Sequence, residues 1–291
     1  RQLEVFWTVA RELSFTRAAE RLLTAQSAVS AQVRSLEREL GVELFDRSRR
    51  RIRLTPAGAA LVPRARETMD ALQAVRDSAA ELRDALTGSV TVGLMTSVTI
   101  VDVPALIGRF HALHPGVRVR LRAAQRGTAG LVDDLATAEI DLAFLALAGV
   151  IPRSLRATAL ASSPIRLLVP PQHRLSGRAA VGLADLEDDD FIDVPDGYGA
   201  RRIVDEGFAA AGVDRQVLIE VADIGTVAQY VQQGLGVALL PEFVVDGSAA
   251  GVRTLPLRES LPDFTVYLAR SPDRKPSAAA EAFAQVVLAS T

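Results

Sequence analysis

The chain has 291 residues, 49% of them hydrophobic and 23% charged, the balance of a globular protein with apolar material for about two domain cores. It contains no cysteine, which excludes disulfides, thiolate nucleophiles and cysteine-ligated metal clusters and fits a cytoplasmic setting. Its net charge of −2 hides an asymmetry: the first 66 residues carry 13 arginines against 7 acidic residues, the remainder 20 basic against 28 acidic groups.

A basic module joined to a mildly acidic body is the footprint of nucleic-acid binding confined to one end. The first residue is Arg1 rather than a methionine, so the native start can lie upstream. No basic stretch followed by an apolar run opens the chain, and no window approaches the roughly 18 apolar residues of a membrane span, so neither export nor a membrane partner is expected.

Leu3, Phe6, Val9, Ala10 and Leu13 recur at helical spacing, which predicts an amphipathic first helix with Phe6 and Leu13 facing a core. Thr16 is the expected N-cap of a short helix from Arg17 to Leu23, with Ala18, Ala19, Leu22 and Leu23 as its inner face. After a turn around Thr24, a third helix is predicted from Gln26 to Leu40, with Ala28, Val29, Val33, Leu36 and Leu40 inward and Gly41 as its C-terminal stop. Two helices joined this closely form a helix-turn-helix. Short strands predicted at Val42 to Phe45 and Arg51 to Leu54 frame a basic hairpin, or wing. Its Arg47, Arg49, Arg50, Arg51 and Arg53 supply fixed cations for a phosphate backbone.

The blocks Phe15-Thr16-Arg17-Ala18-Ala19-Glu20-Arg21-Leu22, Gln26-Ser27-Ala28-Val29-Ser30, Leu36 through Arg47 and Leu54-Thr55-Pro56-Ala57-Gly58 resemble the DNA-binding signature of LysR-type transcriptional regulators. The resemblance implies a winged helix-turn-helix over residues 1–58 whose recognition helix, from Gln26, enters the major groove of an operator duplex. The DNA-facing set it implies is Thr16, Arg17, Gln26, Ser27, Ser30, Arg34, Arg47, Arg49, Arg50, Arg51 and Arg53. Gln26 can pair with adenine, and Arg34 reaches phosphate or guanine. Ala25, Ser27 and Ala31 stand where the family commonly has serine, proline and a basic residue, so base readout is expected to be thinner.

Thr55-Pro56 is a strong helix start, and nothing breaks the pattern before Thr87-Gly88. Leu61, Thr68, Val75 and Leu82, with Ala65, Leu72, Ala79 and Leu86, form two rows of a heptad seam. Residues 59–87 are therefore expected to be a linker helix that pairs with a second copy, giving a homodimer or a tetramer.

From Ser89 short apolar runs, at 90–94, 117–121, 140–147, 165–169, 191–194, 217–221, 237–240 and 265–269, alternate with helical segments, predicting an α/β domain over residues 88–291. The stretch Val231-Gln232-Gln233-Gly234-Leu235-Gly236-Val237-Ala238-Leu239-Leu240-Pro241 is similar to the effector domain of the same family. That similarity implies a two-lobed fold like the periplasmic binding proteins, with lobes at 88–161 plus 266–291 and at 162–265 and a small-molecule effector between them. The expected effector-binding residues are Ser97, Thr99, Thr128, Tyr198, Gly199 and Thr226, with Arg201 or Arg202 as further candidates; Thr128 is also the expected cap of its helix. Helix N-termini facing such a cleft favour an anion, and Ile100, Phe144 and Ile224 are expected as its apolar wall.

No catalytic, metal or cofactor site is expected. His111 and His114 lack converging ligands, His173 reads as an exposed loop residue and Asp188-Asp189-Asp190 as a solvated turn. No phosphate loop, dinucleotide fingerprint or nucleophile elbow is present, which argues against an enzyme. A transport binding protein would have no use for the basic N-terminal module. The expected function is that of a cytoplasmic, LysR-type DNA-binding regulator modulated by a small anionic effector, with RNA polymerase as a candidate further partner.

Overall fold

The computed structural model describes residues 1–46, 52–81, 86–97, 99–147, 149–246 and 251–290, and the side chains of all of these except 70, 73–81 and 246. The chain divides into two compact units, Arg1–Asp84 and Ala85–Thr291.

In the first unit, helices α1 (Gln2–Glu12), α2 (Phe15–Arg21) and α3 (Gln26–Leu40) are followed by strands β1 (Phe45–Asp46) and β2 (Arg53–Leu54) and by helix α4 (Pro56–Glu81). Val5, Phe6 and Val9 of α1, Ala18 and Ala19 of α2, and Val29, Val33 and Leu36 of α3 are buried together with Leu44, Phe45 and Ala65. The Phe45 ring is tilted against Phe6 at 5.6 Å and meets Phe15 edge-on at 5.8 Å, so the root of the hairpin seals the three-helix core.

Several expectations are corrected at the ends of these helices. Leu13 does not face the core: α1 stops at Glu12 and Leu13 closes it in a left-handed conformation (φ 44°), which takes its side chain out of the helical phase. Ser14, not Thr16, caps α2, its hydroxyl accepting from the Arg17 amide at 3.3 Å, so the helix starts one residue before Thr16. Leu23 belongs to no inner face either, because α2 ends at Arg21 and Leu23 turns to φ 50° and is 94% exposed. Leu40, in the last turn of α3, is also exposed, whereas Gly41 closes that helix in the left-handed region at φ 69°. The wing strands are shorter than expected and pair in antiparallel register, Phe45 with Leu54 and Asp46 with Arg53; Arg47, Arg49, Arg50 and Arg51 lie outside the described residues.

Helix α4 starts where Thr55 and Pro56 indicate. The Thr55 hydroxyl accepts from the Gly58 amide at 3.0 Å and donates to the Glu43 carbonyl at 2.7 Å. The heptad rows do not all face outward: Leu61 and Ala65 pack into the core of their own unit, while Leu72 is 43% exposed. The side chains of Val75 and Ala79, and all of Leu82, lie outside the described residues.

The second unit has two lobes. The first is a sheet in the order β4 (Val117–Ala123), β3 (Gly88–Leu94), β5 (Leu142–Leu147), β12 (Phe264–Arg270), β6 (Arg156–Ser163). Strand β3 runs parallel to β4 and β5, while β12 returns antiparallel to β5 and β6. Helices α5 (Val103–Leu113) and α10 (Ala278–Leu288) join through Phe110 and Phe283, whose rings meet edge-on at 5.1 Å. Helix α6 (Gly127–Ala136) covers β5 through Leu131 and Leu135.

The other lobe joins β7 (Ile165–Val169), antiparallel to β10 (Ala238–Pro241) and β11 (Arg253–Leu255), to the parallel pair β8 (Asp190–Asp193) and β9 (Gln216–Glu220). Helices α7 (Gly199–Ala211), α8 (Val227–Gln232) and α9 (Glu242–Asp246) complete it. Strands β6 and β11 have no counterpart in the sequence reading. The residues of β6, Arg156 to Ser163, are mostly alanine, serine and threonine, and its register comes from pairing with β12 rather than from an apolar alternation.

Candidate functional site

On α3, Val29, Val33 and Leu36 are buried, and the neighbouring sector at helical spacing holds Gln26, Ser27, Ser30 and Arg34. Gln26, Ser27 and Arg34 are exposed and Ser30 is half-buried. Ala25 precedes the helix without a side-chain cap, as its methyl group dictates. Thr16 and Arg17 are exposed in the first turn of α2, and the Arg17 and Arg21 guanidinium groups lie 3.5 and 3.1 Å from the Glu12 carboxylate. Arg53 is exposed on β2. The hairpin is anchored behind α3 by Glu37, whose carboxylate accepts from the Leu44 and Phe45 amides at 3.0 and 3.3 Å. On the far side Arg11 and Arg66 stack over the Trp7 ring at 5.0 and 5.3 Å, locking α1 to α4.

In the second unit the expected effector residues fall into two groups, each spanning both lobes. Exposed Ser97, just beyond β3 and left-handed at φ 54°, stands beside the turn that leads to α8. A Cβ on Gly225 would meet the Ser97 Cβ at 2.8 Å and its Oγ at 2.9 Å. Within that turn the Asp223 carboxylate accepts from the Gly225 amide at 3.1 Å, and the Thr226 hydroxyl donates to the Asp223 carbonyl at 2.9 Å. Thr99 is exposed nearby in sequence.

The second group joins the N-terminus of α6 to the loop after β8. Thr128 is not the cap of α6, which begins at Gly127. It is buried, and its hydroxyl donates to the Ala146 carbonyl at 2.9 Å. Gly127, at φ 55°, lies against Tyr198, where a Cβ would stand 2.6 Å from the ring. The Ala129 amide donates to the Gly197 carbonyl at 3.1 Å. Gly199, the first residue of α7, meets the end of β5 so closely that a Cβ would lie 2.7 Å from the Ala146 carbonyl oxygen. Ser97 and the Gly225–Thr226 turn thus meet across the lobes at one place, and Gly127 and Ala129 meet Tyr198 and Gly197 at another.

Other expectations are revised. Arg201 is committed to structure, bonding Asp205 at 2.9 Å, Glu220 at 3.0 Å and the Val194 carbonyl at 3.1 Å, and Arg202 pairs with Glu206 at 2.7 Å. Phe144 and Ile224 are core residues, with Ile100 packed against the same core. His173 is no exposed loop residue: its Nε2 lies 3.1 Å from Asp189, which also takes Arg174 at 2.7 Å, so Asp189 is not part of a solvated turn.

Asp193, not among the expected site residues, is buried at the end of β8 and paired at 2.7 Å with Arg215, itself between the Phe191 and Phe208 rings at 5.3 and 5.5 Å. A carboxylate inside the apolar run Phe191-Ile192-Asp193-Val194 demands a buried cation, which is the signal that could have found the pair. Burial pushes the Asp193 carboxyl above the usual range, against the lowering influence of Arg215. Among the described residues no group of three or more metal-ligating side chains converges, and no helix is long and apolar enough to cross a membrane.

Residues 1–59 match the family model of the bacterial regulatory helix-turn-helix protein, lysR family, and residues 83–291 match that of the LysR substrate binding domain. The RuBisCO operon transcriptional regulator of Allochromatium vinosum is 32% identical over 99% of this chain and 95% of its own. The HTH-type transcriptional regulator CfxR of Cupriavidus necator is 35% identical over 82% of this chain and 74% of its own. A full-length OxyR variant of Pseudomonas aeruginosa superposes with a TM-score of 0.74 at 27% identity, covering 98% of this chain and 93% of that one. With both units matched and relatives aligned end to end, the chain belongs to the LysR family of DNA-binding transcriptional regulators, a helix-turn-helix unit followed by an effector-binding domain.

Proposed function

We propose that this regulator reads its operator through Gln26, Ser27 and Ser30, holds phosphates through Thr16, Arg17, Arg34 and the arginines at 47, 49, 50, 51 and 53, and responds to a small anionic effector in the inter-lobe seam. The observation that supports the effector reading is that expected residues of the two lobes meet at two inter-lobe contacts, Ser97 against Gly225 and Gly127 against Tyr198. Ser97 and Thr99 offer exposed hydroxyls, and the N-terminal amides of α6 supply the field an anion seeks. The Asp223 carboxylate at the Ser97 end directs the charged head toward Thr128 and leaves hydroxyl contacts for the Ser97 end. With no cysteine, thiol oxidation cannot carry the signal, which fits a reversibly bound effector.

We further assign the protein to the cytoplasm and to dimers through the outward part of α4, assembled into tetramers, with RNA polymerase as the partner of the DNA-bound form. The exposed Leu72 supports the dimer seam, and the basic helix-turn-helix unit supports a site of action on DNA.

A screen of small carboxylates and phosphate esters against the full chain, read as a rise in thermal midpoint, tests the effector reading. The hit should then lose about 1 to 2 kcal/mol of affinity in Ser97→Gly, which removes the hydroxyl while accepting the left-handed backbone that a valine would strain. A preference for cations, or undiminished affinity in Ser97→Gly, refutes the placement. For the DNA reading, Gln26→Ala should relax sequence preference, whereas Arg50→Ala should weaken all duplexes alike and flatten the salt dependence.

A further inference from the structure

The turn between α2 and α3 carries a leucine that is doubly misplaced. Leu23 is 94% exposed, more than any other large hydrophobic among the described residues, and joins neither the core nor its partly buried rim. Its backbone is left-handed at φ 50°, forced by the closure of α2: its own amide donates to the Glu20 carbonyl at 3.1 Å, and the Thr24 amide to the Ala19 carbonyl at 3.0 Å. Glycine or asparagine takes this closing position without the steric cost that a leucine Cβ meets there. Leu13, which closes α1 in the same way, is half covered by its neighbours. A residue that is strained and also wet contributes nothing to folding, and such an outlier points to a contact made outside the chain.

The position says which contact. Leu23 lies three residues before Gln26, and the exposed Ala25, Gln26 and Ser27 continue from it along the start of α3. Phosphate oxygens gain nothing from an isobutyl group, and the base edges of the major groove offer one apolar group, the thymine 5-methyl. Gln26 beside it suits adenine, and every A·T pair that Gln26 could read carries that methyl on the opposite strand. On the reading of α3 as the recognition helix, we propose that Leu23 is a specificity-determining residue that buries its side chain against a thymine methyl in each operator half-site.

The test uses the full chain and duplexes enriched from a random pool by the wild type. Thymines of the enriched duplex are replaced one at a time by deoxyuridine, which deletes only the methyl, and binding is compared for wild type, Leu23→Asn and Leu23→Gly. At one thymine per half-site the wild type should lose about three- to fivefold in affinity, the value of one buried methyl. Both variants should bind the thymine duplex more weakly by a similar factor, ignore the replacement, and melt no lower than the wild type because the left-handed strain is relieved. Wild-type indifference to every replacement, or an equal response of all three proteins, overturns the proposal. A variant that falls below the wild type by the same factor on the deoxyuridine duplex as on the thymine duplex also overturns it, since Leu23 then rests on a sugar. A wild type that enriches no sequence overturns the reading of α3 itself, and Leu23 with it.

Discussion

The amide of Ala129, in the first turn of α6, donates to the carbonyl of Gly197 in the loop after β8, at 3.1 Å, so one lobe of the effector domain satisfies one amide at the helix terminus of the other. A peptide carbonyl here presents the same partial negative charge that an anionic head would bring to a helix N-terminus. Beside it Gly127 rests on Tyr198 at φ 55°, with room for no side chain. Gly127→Ala should therefore push the lobes apart and cost about 1 to 3 kcal/mol of effector-domain stability through overpacking and an unfavourable backbone. The three tyrosines all lie in this domain and the single tryptophan in the helix-turn-helix unit, so near-ultraviolet signals separate the two. The tyrosine transition should fall while the Trp7 transition stays; joint movement of both would refute a local effect.

The buried pair Asp193 and Arg215 sits behind the same loop. Its bond lengths of 2.7 Å to Asp193 and 2.6 Å to Asp205 make Arg215 the cation that holds this region together. Arg215→Met leaves buried Asp193 with only the more distant Arg201, at 3.9 Å, and should cost about 3 to 5 kcal/mol. The pH dependence has a definite sign. Folded Asp193 keeps its proton to higher pH than the unfolded chain does, because burial raises it, and losing Arg215 raises it further. Its stabilising protonation is thus gained as pH falls through the folded value and lost as pH rises. The deficit of the variant relative to wild type should be smaller at about pH 5 than at about pH 8 in urea titrations. Asp185, held below its usual range first by the Gly182 amide, works in the opposite sense in both proteins and cancels in the difference. A deficit independent of pH would show that Asp193 finds another cation.

Elements with strong periodicity were legible in the sequence. Gln26 to Leu40 with its Gly41 stop, the Thr55-Pro56 start of α4 and the apolar β5 are local patterns, and they form as the residues indicate. What failed was set by tertiary contacts or by one backbone torsion. Leu13 and Leu23 fit a helical face by spacing alone, and only the left-handed turn at each takes them off it. Thr128 reads as a cap, yet its hydroxyl is taken by Ala146, a carbonyl 18 residues away. Arg201 reads as a candidate effector cation at a helix start, but Glu220, brought up by β9, joins its own-helix neighbour Asp205 in engaging it. Residue types near the seam could be named from sequence; the role of the Gly197 carbonyl could not, because a backbone oxygen has no signature in sequence.

The linker helix gives a sharper expectation than its heptad pattern alone. Because Leu61 and Ala65 are consumed by the core of their own unit, the proposed self-association would rest on the part of α4 beyond them. Leu72 is the exposed apolar member of that part among the described side chains. Leu72→Glu should lower the mass seen in sedimentation at micromolar protein and weaken operator binding, with the Trp7 melting transition unchanged. Leu61→Glu should instead unfold the helix-turn-helix unit. Equal loss of folding in both variants would mean that Leu72 packs within its own chain.

Gly58 links the wing to the linker helix at a point that tolerates no side chain. A Cβ there would stand 2.1 Å from the Leu44 carbonyl oxygen and 3.0 Å from the Leu54 side chain. That carbonyl accepts from the Thr55 amide at 3.0 Å, and the Leu44 amide is held by Glu37 on α3 at 3.0 Å, so Leu44 cannot retreat without loosening both helices. In Gly58→Ala the added methyl must displace backbone rather than a mobile side chain, and the gain in helix propensity, about 1 kcal/mol, is too small to offset the clash. The variant should unfold its first unit at lower urea, followed by Trp7 fluorescence, and bind DNA more weakly through a displaced wing. The recognition residues are untouched, so its sequence preference should persist while its affinity and salt dependence fall together. A Gly58→Ala protein with an unchanged Trp7 midpoint and unchanged affinity would show that the hairpin root has slack which the packing around Leu44 denies.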